Sequence, residues 1–261
     1  MTFADSCRMG GESAVPDALD SLSQWCQESN MRLNPTKCKA MRVTFSKTHP
    51  QPLVLEINDT TLQEIRELKM LGVTIQCNLK WDSHVSNIVR RASRKLYIIR
   101  VMKRYRAPVE DLLTIFTCYV RPNVEYCVPV WHFSITAQQS TSIERIQKRA
   151  LRLIYGDQYV TYKNALQLSK LETLYDRRDV LCLNYAKSLL TKFRDWLPEL
   201  QSTHRSLRHS EKLRVPKCRT VRYRSSALPF FFVRLLNENG LCESGVFDGL
   251  ELSQFITMYL L

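Results

Sequence analysis

The chain has 261 residues, with 38 Lys and Arg against 25 Asp and Glu, a net charge of +13. Its length favours one large domain or two small ones, and an apolar fraction of 44% is ordinary for a globular protein, so a real core can be buried. The charge excess points to a polyanionic partner such as nucleic acid, no apolar run reaches the ~18 residues of a membrane-spanning helix, and the N-terminus lacks the apolar core of a signal peptide.

The first third mixes helix and strand signals. "PDALDSLSQWCQESN" (16–30) places Ala18, Leu19, Leu22, Trp25 and Cys26 at helical spacing, with Pro16 suited to the first turn. Asn30 and Asn34-Pro35 mark an exit and a break. "KAMRVTF" (39–45) and "PLVLEIN" (52–58) alternate as two strands around the loop "SKTHPQP". "LKMLGVTI" (68–75) reads as a third strand interrupted by Gly72.

From about residue 82 the pattern is helical. "HVSNIVRRASRKLYIIRVMKRY" (84–105) carries Val85, Ile88, Val89, Ala92, Leu96, Ile99 and Met102 on one face, and Asp82 or Ser83 is placed to cap it. Further helices are expected at 109–119, 121–132, 137–155, 162–168 and 172–192. Residues 201–224 are strongly basic, and 225–240 returns to an amphipathic helix. The expected class is α+β: a small antiparallel N-terminal part, one helix plus about three strands, followed by a mainly α-helical region.

The chemistry-bearing candidates are mostly cations. Residues 84–106 hold Arg90, Arg91, Arg94, Lys95, Arg100, Lys103, Arg104 and Arg106 and no acidic residue. No ion pair within that helix can neutralise the face. Phosphates would supply the counter-charge; a solvated face, or pairing with acids elsewhere, is the alternative. Arg149 belongs to a second basic helix with Arg145, Lys148 and Arg152, where an ordinary amphipathic helix is the better reading. Within the basic run 205–224, Tyr223 stands among Arg219, Arg222 and Arg224 and adds a stacking surface, with a solvated run as the alternative.

Other chemistries find little support. The nine cysteines include no Cys-x-x-Cys pair, the five histidines make no metal-ligand pattern, and there is no nucleophile elbow or P-loop. Scattered single cysteines suit a reducing compartment, so an intracellular location is expected, with nucleus or cytoplasm open. Trp81 and Trp131 read as packing residues. In "FADS", Asp5 has no adjacent carboxylate and on spacing alone reads as a surface residue.

Several strings recur in one order: "ALDSLSQWCQESNMRLNPTKCKAMRVTF", "INDTTLQEIRELKMLGVTIQCNLKWDSHV", "RRASRKLYIIRVMKR", "YVRPNVEYCVPVWH" and "QQSTSIERIQKRALRLIYG". Together they resemble the reverse transcriptases of jockey-like non-LTR retrotransposons, over nearly all of 14–240. The resemblance implies the C-terminal part of a polymerase palm over 1–81, a helical thumb over 82–200, and a basic linker with a helical segment over 201–261. It implies RNA and DNA, a template–primer, as partners; the lack of a long apolar run predicts no membrane, and the oligomeric state is left open. It makes Asp5 the remnant of an aromatic-x-Asp-Asp pair, with Ser6 in place of the second Asp. Lys37 and Lys39 fall where a lysine lies near the incoming phosphate, and "KMLGVTI" falls at the hairpin that grips the primer. Mg²⁺ is implied for the whole family but not as bound by this fragment. The expected product is therefore a truncated RNA-directed DNA polymerase, inactive alone, that binds template–primer backbone through basic helices. A non-catalytic nucleic-acid-binding module, or a non-functional retrotransposon remnant, is the alternative.

Overall fold

The computed structural model describes residues 14–43, 54–57 and 60–192. Asp5, Arg219 and Arg222, the 201–224 basic run and the 225–240 helix lie outside the described residues. The chain divides into two compact units, Met1–Lys80 and Trp81–Leu261.

In the first unit, helix α1 (Ala14–Glu28) is followed by one 3₁₀ turn, Pro35–Lys37. Asn34 starts that turn. Its Oδ1 accepts hydrogen bonds from the Thr36 backbone N–H (3.1 Å) and hydroxyl (2.6 Å), and Pro35 supplies the fixed φ of a first helical position. Short strands follow: β1 (Lys39–Ala40), β2 (Glu56–Ile57), β3 (Thr60–Thr61) and β4 (Gln63–Glu64), then β5 (Glu67–Met70) and β6 (Val73–Gln76). Ala40, Leu55, Ile57 and Leu62 form a small core with Leu19, Leu33 and Cys38 packed against it.

Two expectations are corrected here. The strands are not all antiparallel, because β1 pairs in parallel with β4, Lys39 opposite Gln63. Residues 68–75 are not one interrupted strand but a hairpin, with Met70 opposite Val73. Leu71 and Gly72 both have positive φ, 47° and 84°, so the chain reverses in two residues. That geometry matches the right-handed twist of the flanking strands.

The second unit is helical: α2 (Asp82–Arg104), α3 (Val109–Ile115), α4 (Pro122–Glu125), α5 (Val128–Trp131), α6 (Ala137–Tyr155), α7 (Tyr162–Ser169) and α8 (Leu174–Lys192). On α2 the apolar period buries Val85, Ile88, Ala92, Leu96 and Ile99. Neither Asp82 nor Ser83 is the N-cap. Trp81 holds that position without a side-chain bond, and Asp82 opens the helix, where its charge complements the N-terminal dipole.

Gln139 ties the starts of α2 and α6 together. It completes a capping box with Thr136, and its Nε2 donates to Asp82 Oδ1 at 2.7 Å. At the other end Lys103 Nζ donates to the carbonyls of Leu153 (2.6 Å) and Ile154 (3.0 Å). The two helices therefore run in the same direction. The expected helix 109–119 continues after Ile115 as a π turn, Phe116–Val120. The expected helix 121–132 is broken at Cys127, whose φ of 52° is left-handed. Trp131 is fully buried and its indole N–H donates to Tyr126 O at 2.9 Å.

Candidate nucleic-acid interface

With 3.6 residues per turn, Arg90, Arg94 and Arg104 project from the side of α2 opposite its buried row, and the row spans ~21 Å. All three are exposed, as are Arg91 and Arg100 on the two flanks. Arg90 donates to Asn87 Oδ1 at 3.0 Å, and none of the five meets a carboxylate among the described residues. Part of this charge suits the helix C-terminus, where cations are favourable, but Arg90, Arg91 and Arg94 lie far from that end.

The two lysines of the helix are used differently. Lys95 Nζ lies 4.0 Å from the centre of the Tyr119 ring and donates to Tyr119 O at 3.4 Å. Burial, and then the charge of Arg91, hold it below the ordinary lysine range. Lys103 satisfies two of the carbonyls that the end of α6 leaves unpaired. It fits because Gly156 has no side chain: a Cβ there would lie 2.6 Å from Lys103 Nζ. Nearby, Lys103, Arg106, Leu112, Tyr155 and Gly156 help line an open cleft of about 620 Å³.

On α6, Arg145, Arg149 and Arg152 are exposed, and Arg152 lies over the Tyr159 ring at 5.3 Å. In the first unit Lys37 ends the 3₁₀ turn and Lys39 opens β1, both exposed. Among the described residues no three His, Cys, Asp or Glu side chains converge to hold a metal ion.

A buried polar network escapes the sequence reading. Arg178 is fully buried; its Nε donates to His132 Nδ1 at 3.1 Å and its Nη2 to Ser140 Oγ at 2.8 Å. Because Arg178 only donates, His132 accepts at Nδ1, and its Nε2–H donates to Asp179 Oδ1 at 2.7 Å. Burial lowers the His132 pKa, and the bond to Asp179 opposes that shift. Beside it Arg177 Nε donates to buried Glu125 Oε1 at 2.6 Å, with Arg121 Nε 3.5 Å away. Burial raises the Glu125 pKa, partly offset by Arg121 and Arg177. The sequence signal is Arg178 itself, on the row of Leu174, Cys182 and Ala186, where an isolated charge would need a buried partner. These groups join α8 to Glu125 of α4, to His132 just after α5 and to Ser140 of α6.

Comparison with known proteins agrees with the recurrent strings. The chain is 24% identical over 179 residues to the "Probable RNA-directed DNA polymerase from transposon X-element" of Drosophila melanogaster. It is 23% identical over 153 residues to the RNA-directed DNA polymerase from mobile element jockey of Drosophila funebris. The chain is related to jockey-like RNA-directed DNA polymerases. A third such relative, from transposon BS of Drosophila melanogaster, is 20% identical over 156 residues. The matches take in 67%, 58% and 59% of this chain but 19%, 16% and 17% of these three polymerases. No family model and no solved structure matches the chain. Among the described residues no helix is long and apolar enough to cross a membrane.

Proposed function

We propose that this chain is the part of a jockey-like reverse transcriptase that holds the template–primer by its phosphates. The first unit corresponds to the edge of the palm, with Lys37, Lys39 and the β5–β6 hairpin on the primer side. The second corresponds to the thumb. The observation that carries the reading is the arginine row of α2: Arg90, Arg94 and Arg104 face outward and meet no carboxylate among the described residues. Charges displayed this way attract a polyanion and release its condensed counterions. Arginine also suits phosphate, because its planar fork makes paired hydrogen bonds.

On this reading the chain grips the template–primer and, alone, binds it without extending a primer. Purified chain, titrated with an RNA–DNA hybrid at several salt concentrations, tests this reading. Affinity is expected to fall steeply and log-linearly with salt, with no primer extension when Mg²⁺ and deoxynucleotides are added. Binding that ignores salt, or no binding at low salt, would overturn the phosphate-holding role. Extension would overturn the division between grip and chemistry.

A further inference from the structure

Tyr97 stands in the arginine row, three residues after Arg94 and seven before Arg104, and is 64% exposed. Tyr105 follows α2 as its C-cap, is 80% exposed, and lies ~12 Å further along the axis. Neither ring has a ring contact, side-chain hydrogen bond or cation partner among the described residues. The other described tyrosines of this unit are all engaged. Tyr119 lies under Lys95, Tyr159 under Arg152, and Tyr162 donates to Glu144. Tyr175 meets His132, Tyr155 bonds Ser169, Tyr126 bonds Cys127, and Tyr185 also has an interaction.

Among the described residues, two unengaged rings thus sit in a row of arginines that meets no acid. A duplex already stacks its own bases, so its base faces are closed to a side-chain ring. An unpaired strand leaves them open, and base–aromatic stacking tolerates any sequence. The two side chains are offset by ~12 Å along the axis and by about 80° around it, a separation that a few unpaired nucleotides at ~3.4 Å each can bridge. Resting on the phosphate-holding role proposed above, we infer that this face of α2 also recognises unpaired nucleotides, such as the single-stranded template beyond the hybrid. Tyr97 and Tyr105 stack on bases while Arg104, between them, and Arg94, just before Tyr97, hold phosphates of the same strand. An acidic peptide would satisfy the arginines but leaves the rings without a partner.

The test uses fluorescence anisotropy with the full chain, a labelled oligouridylate and a blunt RNA–DNA hybrid of equal length. Tyr97→Ala with Tyr105→Ala is expected to weaken oligouridylate binding by roughly tenfold or more and to change hybrid binding by less than about twofold. Tyr97→Phe with Tyr105→Phe keeps the wild-type affinity, since stacking needs the ring and not the hydroxyl. Equal weakening on both probes, no change on either, or displacement of oligouridylate by polyglutamate as readily as by unlabelled oligouridylate would overturn the inference. If the alanine variant changes nothing while Arg90→Gln, Arg94→Gln and Arg104→Gln together abolish hybrid binding, the stacking role falls and the phosphate-holding role stands. If the wild-type chain binds neither probe, both fall.

Discussion

Lys103→Met separates a structural cation from a nucleic-acid contact. In the wild-type chain the Lys103 ammonium donates to Leu153 O and Ile154 O, two carbonyls at the end of α6. The site is partly exposed, so water replaces the ammonium in the variant and each lost bond costs about 0.5–1 kcal/mol. Losing a cation at a helix C-terminus adds about 0.3–1 kcal/mol, for a total of about 2 kcal/mol. In urea that shifts the unfolding midpoint by about 1 M, taking a slope of about 2 kcal/mol per M. Gly156→Ala tests the same joint from its other side. Gly156 has φ +56° and ψ −120°, a conformation nearly restricted to glycine, so alanine adds strain of about 1–3 kcal/mol. Its Cβ also displaces the ammonium 2.6 Å away. The two substitutions share one lost interaction, so the double variant is expected to be more stable than the sum of the singles by about 1–2 kcal/mol. Tryptophan fluorescence in urea reads all three variants. Strict additivity, or a Lys103→Met chain as stable as wild type, would refute the capping role.

Three further outcomes follow from the same geometry. Glu125→Gln leaves Arg177 and Arg121 without their shared anion and is expected to cost about 3 kcal/mol in urea, the low end for a broken buried pair because Arg177 is about one-third exposed. Burial, and then Arg91, hold the His84 pKa down to about 4 from its ordinary 6.5. The unfolded chain takes up the proton first, so this stability is complete above pH 6.5 and is lost as pH falls towards 4, by up to about 3 kcal/mol. His84→Phe should flatten that part of the stability–pH curve, while His132, also held low by burial, keeps a residual slope. Leu71→Asn puts Asn-Gly into the hairpin turn in place of a leucine with φ 47°, and is expected to slow hydrogen exchange of the β5–β6 amides by about 1 kcal/mol.

The long helices were the most legible features because their evidence is local. The apolar period of 84–105 places α2 within two residues at its start and one at its end, and residues 137–155 coincide with α6. Boundaries failed where one residue's backbone state decides them. Nothing in the apolar spacing of 121–132 announces that Cys127 turns left-handed, or that the end of 109–119 relaxes into a π turn. The turn at Leu71-Gly72 was half legible: Gly72 marked the break, but a leucine is a poor advertisement for a second positive φ. Charge was legible as composition and not as placement. The eight cations of 84–106 look equivalent in the sequence, yet the fold turns Lys95 towards Tyr119 and Lys103 towards α6. Arg178 joins His132 and Ser140 across 46 and 38 residues of chain, a separation no local pattern reports.

The most direct measurement of the central claim is the salt slope of hybrid binding for two variants beside the wild type. In one, Arg90, Arg94 and Arg104 are changed to Gln; in the other, Lys103 is changed to Met. Each phosphate contact contributes roughly 0.9 to the slope of log affinity against log salt, by analogy with a DNA duplex. The triple arginine variant is expected to lose roughly 2–3 units of slope, and the Lys103 variant almost none. An unchanged slope in the triple variant would contradict the account, and so would an equal loss in both.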